Sequence, residues 1–241
     1  MSLFIEIFII LVLIIVQSIF GIGLLLFGTP SLLVLGYDFA NTISVLMPIS
    51  ITISALQFFK SKVSDRNYIK EYNLFCLPFL VLFLILALKF KHLLDFTILV
   101  AFLLIFSSIL ILNKHRFSNF EKLFFKLKKY LLIGIGCVHG LTNMGGSFLS
   151  IYATLSSRNI KEVGRYYISY SYLIMGVLQL MTVLFFSFNI LELNKLYYVF
   201  LTVIIYFPAQ KIFKNIKDRN FSKYINTIAL IYGLLILISY Y

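Results

Sequence analysis

The chain has 241 residues, of which 61% are apolar and only 12% are charged, whereas a typical soluble domain carries about 25% charged residues. This composition, with a mean hydropathy of +0.99, excludes a soluble enzyme, a nucleic-acid-binding module, a disordered chain and a disulfide scaffold. The net charge of +12 is therefore expected to mark basic loops facing the cytoplasm, and we predict an all-α polytopic protein of a bacterial-type inner membrane, surrounded by the lipid bilayer and without a nucleic-acid partner.

Eight apolar stretches follow one another, and most are close to the roughly 20 residues that a membrane-spanning helix needs. The first has 34 residues and as one straight helix would measure about 50 Å, more than a hydrocarbon core of about 30 Å. Glycines interrupt the first and the fifth stretch, so we predict that both are broken or re-entrant. The stretches cover about 3–36, 39–59, 73–90, 93–113, 130–157, 166–188, 193–210 and 224–241.

The two halves of the chain resemble each other. Segment 23–30 aligns with segment 140–147, 117 positions later, and a Leu-Gln pair at 56–57 recurs at 178–179. Repeats with interrupted helices at matching positions are common in transporters, where they point to the substrate site. The sequence therefore predicts one transmembrane domain made of two four-segment repeats.

Basic residues favour one topology of these repeats, taken as 1–118 and 119–241. Of the 21 lysines and arginines, 18 lie in four loops. If all eight stretches cross the membrane, these residues are divided almost evenly between its two sides. Re-entrant hairpins in stretches one and five place all 18 on one side, as the positive-inside rule requires, and make the repeats inverted. Eight full crossings with parallel repeats are the alternative. The four loops are 60–72, 113–129, 158–165 and 211–223.

The interruptions are the predicted substrate site, because non-helical backbone at membrane depth is tolerated only where it is packed in protein or lines a cavity. Thr29 is expected to cap a helix that begins with Pro30. Two helix N-termini facing each other near the midplane would bind an anion through free N–H groups, and glycines would let it approach the backbone. The alternative is close helix packing through small residues. The residues concerned are Gly28, Thr29, Pro30, Gly145, Gly146 and Ser147.

Five polar side chains near the interruptions complete the predicted site. His139 is expected to donate to an anion or to carry a coupling proton, and a neutral imidazole bonded to a neighbouring carbonyl is the alternative. Thr142 and Asn143 either donate to the substrate or satisfy broken backbone. Gln57 and Gln179 occupy matching positions, where an amide either binds the ligand or links helices.

Other ionisable and aromatic residues are less informative. Arg165 could counter an anion, although a cytoplasmic anchor is the favoured interpretation. A tyrosine-rich face either borders the cavity or packs against other helices. Among nine carboxylates only Glu6 lies within an apolar stretch, which argues against a cation carrier. We expect no cofactor, no metal and no enzymatic activity. The tyrosine-rich face named above consists of Tyr166, Tyr167, Tyr170 and Tyr172.

The glycine-containing segments resemble those of the sulfite exporter TauE/SafE family of membrane transporters. They read Phe-Gly-Thr-Pro at 27–30 and Met-Gly-Gly-Ser at 144–147. The resemblance implies eight hydrophobic segments in two repeats. It also implies a secondary transporter, usually an exporter, that moves a small sulfur-containing anion such as sulfite, thiosulfate or an organosulfonate by alternating access. A scaffold or biogenesis protein without a substrate, and a channel-like carrier of another small solute, are the alternatives.

Overall fold

The computed structural model describes residues 2–90, 120–158, 160–186 and 195–216, and six single positions: 105, 109, 227, 230, 231 and 234. The predicted stretch at 93–113, the stretch at 224–241 and the repeat boundary after residue 118 lie outside the described residues, apart from those single positions. All regular structure in the described part is helical, as predicted. The helices are α1 (Ser2–Phe20), α2 (Leu24–Val34), α3 (Phe39–Phe59), α4 (Arg66–Phe75), α5 (Leu77–Lys89), α6 (Phe120–Thr142), α7 (Gly146–Ser156), α8 (Lys161–Phe186) and α9 (Tyr197–Asn215).

Three described stretches are long and apolar enough to cross a membrane, namely Phe39–Phe59, Arg66–Lys89 and Lys161–Phe186. The second of these contains both α4 and α5. Phe4–Phe20 and Leu24–Val34 are apolar but shorter. The first apolar stretch is therefore two short helices rather than one long helix.

The first interruption, tip one, consists of residues 21–23. Gly21 and Gly23 have φ angles of 80° and 133°, a conformation that favours glycine. A Cβ atom on Gly23 would also lie 2.5 Å from Cγ1 of Val16. The prediction that Thr29 caps a helix beginning at Pro30 is wrong, because these glycines turn the chain earlier. Pro30 is the seventh residue of α2.

The chain returns from tip one to the end of the molecule at which α1 begins. The hydroxyl of Tyr37, which follows α2, donates to Oε2 of Glu6 at 2.6 Å. Nζ of Lys195 forms an ion pair with Oε1 of the same carboxylate at 3.0 Å. Tyr198 of α9 also donates to Oε1, at 3.3 Å. These four side chains, the Glu6 cluster, join both ends of the first hairpin to the start of α9.

The second interruption, tip two, consists of residues 143–145. Asn143 has a φ angle of 61°, and α7 begins at Gly146, where the sequence predicted a new helix. The ring of Phe124, near the start of α6, lies 5.5 Å from the ring of Tyr152 on α7. The helix after tip two therefore runs back along the helix before it.

The helices of the two halves recur at a constant offset of 122 positions (146 minus 24 for the starts of α2 and α7). The ends of α1 and α6 and the starts of α3 and α8 keep the same offset. The two Leu-Gln pairs are also 122 positions apart. The alignment of 23–30 with 140–147, at 117 positions, differs from this offset by five. Gly21 therefore corresponds to Asn143, and both have a positive φ angle.

The described basic loops lie together at one end of the molecule. The Glu6 cluster lies at the other end of α3, whose 21 residues span about 31 Å. We call the end of the molecule that carries the basic loops the basic end. The contacts that join the basic loops are Tyr167 Oη to Asp65 Oδ2 at 2.7 Å, Lys161 Nζ to Ile216 O at 2.7 Å and Lys128 Nζ to Glu71 Oε2 at 2.5 Å.

Replacing Lys195 with Met is expected to destabilise the protein by about 3–5 kcal/mol, because the substitution leaves the carboxylate of Glu6 buried without its cation. Chemical unfolding in detergent measures this free energy. Lys128→Met is the control, since its ion pair with Glu71 is about one-third exposed and such pairs contribute about 1 kcal/mol or less. Equal losses in the two variants would contradict the prediction.

Candidate functional site

Each hairpin tip leaves helix N–H groups without helical partners inside the protein. The first backbone bond of α2 is donated by Phe27 to Gly23 O, and that of α7 by Leu149 to Gly145 O, both at 2.9 Å. The residues that cap these helices, Gly23 and Gly145, form no side-chain hydrogen bond to them. The helical residues before Phe27 and before Leu149 therefore have N–H groups without a partner in their own helix. Together with the positive ends of the helix dipoles, these N–H groups form two regions that favour an anion.

His139 holds the backbone of tip two. Its Nδ1 accepts a hydrogen bond from the N–H of Gly145 at 3.0 Å, so the ring proton is on Nε2. Nε2 lies 3.0 Å from Oε1 of Gln179 and donates to it. Both ring nitrogens of this fully buried residue are therefore engaged within the protein. This geometry favours a neutral imidazole, bonded to an amide rather than to the neighbouring carbonyl that the sequence suggested.

Tyr172 lies directly on the N-terminus of α7. A Cβ atom on Gly146 would overlap the hydroxyl of Tyr172, so any larger residue there requires this hydroxyl to move. This side chain is fully buried, and its hydroxyl has no hydrogen-bond partner among the residues that the structure describes. Because buried hydroxyls are normally hydrogen-bonded, a donor is available beside the free N–H groups of this helix. The ring of Tyr172 also contacts that of His139, with centroids 5.9 Å apart.

The tyrosine-rich face divides into two parts. Tyr166, Tyr167 and Tyr170 pack against rings outside the tips, with Tyr167 stacked on Tyr68 at a centroid distance of 4.0 Å. Tyr172 alone of the four faces a tip.

A side-chain bond joins tip two to the first hairpin. Nδ2 of Asn143 donates to Oγ1 of Thr29 at 3.0 Å, and both residues are fully buried. Thr29 is the sixth residue of α2. Tip two therefore contacts the second turn of α2, whereas the sequence predicted that the two helix N-termini face each other.

Tip one is held by Gln57 in the way that Gln179 holds tip two. Nε2 of Gln57 donates to the carbonyl oxygens of Gln17 at 3.0 Å and Ser18 at 3.2 Å. The corresponding amide of Gln179 lies 3.5 Å from the carbonyl oxygen of His139. The paired glutamines thus satisfy carbonyls at the ends of the helices that precede the tips.

Gln17 and Ser18 are buried polar residues that the sequence analysis missed. The Gln17 amide donates to Oγ of Ser50 at 3.0 Å, and within the described ranges the hydroxyl of Ser18 has no hydrogen-bond partner. Gln17 corresponds to His139 at the offset of 122. An alignment of the two halves at this offset would have identified Gln17 as a polar residue within an apolar stretch.

The remaining predicted site residues have local roles. Gly28 packs closely, since a Cβ atom there would lie 3.0 Å from Leu46. The hydroxyl of Thr142 donates to Val138 O at 2.7 Å and accepts from Met144 N–H at 3.2 Å. Pro30 is buried inside α2, and the side chain of Ser147 lies outside the described residues. Within the described ranges, no group of three or more His, Cys, Asp or Glu side chains could hold a metal ion.

Comparison with known proteins identifies the family. The family model of the sulfite exporter TauE/SafE matches residues 6–236, and the chain therefore belongs to this family. No curated protein and no solved structure matches. Family membership and the apolar helices make the chain an integral membrane protein of a transporter family for sulfite-type anions, rather than an enzyme.

Replacing His139 with Leu is expected to lower the free energy of unfolding by at least about 1–3 kcal/mol, because Gly145 N–H and the amide of Gln179 lose buried partners. Unfolding in detergent measures the loss. Thr202→Val is the control, since that buried hydroxyl donates only to Tyr198 O of its own helix. If His139→Leu is as stable as Thr202→Val, the imidazole does not hold tip two.

Proposed function

We propose that this member of the TauE/SafE family is a secondary transporter, and that it binds a small sulfur-containing oxyanion such as sulfite at the N-terminus of α7. The family supplies the substrate class. The observation that carries the site is the buried, unpartnered hydroxyl of Tyr172 against Gly146. A small rearrangement of this ring would let the hydroxyl donate to an oxyanion that also accepts from the free N–H groups of α7.

The proposed site binds the anion without a buried cation in contact with it. His139, Gln179 and Asn143 would serve it by positioning the backbone of tip two, since their described hydrogen bonds are to protein groups. A preorganised set of N–H and O–H donors suits an anion that must also be released, because the site makes no strong ion pair with it. The coupling proton considered for His139 has no free ring nitrogen to carry it in this arrangement.

Alternating access would follow from inverted repeats, here proposed as 1–118 and 119–241. The first hairpin opens at the end with the Glu6 cluster, and the second opens at the basic end. Such opposed hairpins are the arrangement that permits one repeat to rock against the other around a fixed site. We propose that the basic end faces the cytoplasm of an inner membrane and that transport is export.

Sulfite is expected to raise the unfolding midpoint of the purified protein in a saturable manner, because a ligand that binds only the folded state stabilises it by mass action. Gly146→Ala should abolish this rise, since its Cβ atom displaces the hydroxyl of Tyr172. Gly134→Ala, with nothing within 4 Å of the added Cβ, should keep it. Tyr172→Phe should weaken sulfite binding by about tenfold through the loss of one hydrogen bond to a charged group.

Sulfate, acetate and chloride serve as comparison ligands in the same measurement. A scaffold protein without a substrate would show no midpoint shift with any of these anions. A shift with sulfite that survives Gly146→Ala in folded protein would place the binding site away from α7.

A further inference from the structure

Asn143 carries a second unsatisfied group at tip two, besides the hydroxyl of Tyr172. Its side chain is fully buried, and its Oδ1 has no hydrogen-bond partner among the described residues. The nitrogen of the same amide is engaged, because Nδ2 donates to Oγ1 of Thr29 at 3.0 Å. Burying a polar group without a hydrogen bond is costly, so the unpartnered oxygen indicates that a donor belongs there.

The position of this oxygen is fixed beside the start of α7. Asn143 is the first residue of tip two and precedes Gly146, the first residue of α7, by three positions. Its bond to Thr29 holds the amide against α2, and α2 also contacts α7. Because Oδ1 and Nδ2 belong to one planar amide, Oδ1 is held at the same junction between the two hairpins.

The three N–H groups of tip two already have partners within the protein. Their bonds are Asn143 N–H to His139 O at 2.8 Å, Met144 N–H to Thr142 Oγ1 at 3.2 Å and Gly145 N–H to His139 Nδ1 at 3.0 Å. Donors to a ligand therefore come from the first turn of α7 and from the hydroxyl of Tyr172. A ligand at this site meets those donors and, in addition, one acceptor, Oδ1 of Asn143.

The described side chains that bond to tip two or lie on the first residue of α7 carry no positive charge. His139 is neutral, because its Nδ1 accepts from Gly145 N–H while its Nε2 donates to Gln179. Thr29 and Tyr172 contribute neutral hydroxyls. A doubly charged anion needs more compensation than this set provides, since burying charge without a counter-charge is costly. The surroundings therefore favour an anion with a single negative charge.

We infer that Asn143 selects the protonated, singly charged form of the substrate, hydrogensulfite, over dianions such as sulfite and sulfate. The place of the anion rests on the proposed function, whereas the selection rests on the unpartnered oxygen of Asn143. The hydroxyl of hydrogensulfite donates to this Oδ1, and its other oxygens accept from the first turn of α7 and from Tyr172. An oxyanion without a proton places an acceptor against Oδ1 instead, which leaves the buried amide oxygen unpaired.

A matched pair of ligands tests this inference at mildly acidic pH, where hydrogensulfite is the main form of the ion. Methanesulfinate has the same charge and the same pair of unprotonated oxygens, but a methyl group replaces the hydroxyl. Isothermal titration of the purified wild-type protein is expected to give at least about tenfold weaker binding of methanesulfinate, because this analogue leaves Oδ1 of Asn143 unpaired. Sulfate, a dianion at this pH, is also expected to bind more weakly than hydrogensulfite.

Asn143→Gly removes the acceptor, and glycine tolerates the φ angle of 61° at this position. This variant is expected to bind hydrogensulfite and methanesulfinate with similar affinities. Gly134→Ala is the control and should keep the wild-type preference, since nothing lies within 4 Å of the added Cβ atom. The comparison of the two ligands on the wild-type protein decides the matter even if Asn143→Gly does not fold.

The outcomes separate the two proposals. If the wild-type protein binds both ligands equally and Gly146→Ala binds neither, the selection is wrong and the site at α7 stands. A preference for hydrogensulfite that survives in folded Asn143→Gly also overturns the inference, because another group then accepts the proton. Absence of binding of either ligand to folded wild-type protein overturns both proposals. Circular dichroism and size-exclusion chromatography establish that each variant is folded.

Discussion

The cost of leaving backbone polar groups unpaired inside a membrane governs this structure. A continuous helix satisfies its own N–H and C=O groups, whereas an interrupted one must find partners elsewhere. At both tips the protein provides them with a glutamine from the following long helix, Gln57 or Gln179. At tip two His139 adds a bond to the N–H of Gly145. The first N–H groups of the two returning helices have no partner within their own helices, and at α7 this is where we propose that the substrate binds.

The two tips share a scaffold but differ in chemistry. At the common offset of 122, Arg165 corresponds to Ile43 and Tyr172 corresponds to Ser50. Both side chains thus come from α8, in the second half of the chain. The aliphatic stem of Arg165 approaches tip one, and the hydroxyl of Tyr172 approaches tip two. The two halves therefore share the positions of their helix ends, whereas the side chains that α3 and α8 present at matching positions differ.

The sequence predicted the helical class, the two interrupted stretches, the pairing of Gln57 with Gln179 and the grouping of basic loops, because each depends on composition or on a strong local signal. It misplaced tip one, because Thr29-Pro30 carries a stronger local capping pattern than the glycines before it. The requirement for glycine at 23 arises from its φ angle of 133° and from its contact with Val16, which only the three-dimensional structure shows. The same error in register concealed the match between Gln17 and His139. The place of Arg165 at a helix start suggested that it could reach inward, but its contacts with Gln210 and Phe213 come from a helix far along the chain and could not be read from the sequence.

The Glu6 cluster also constrains the order in which the chain can mature during synthesis. Its carboxylate lies on α1, its nearest hydroxyl donor is Tyr37, which follows α2, and its cation is Lys195, which precedes α9 by two positions. During translation, the carboxylate of Glu6 therefore cannot form its ion pair until the chain has been synthesised as far as Lys195. Tyr37 can satisfy one of its oxygens as soon as the first hairpin closes. The arrival of Lys195 then fixes that hairpin against α9, so the N-terminal part of the transporter reaches its final packing only when a late segment has been inserted.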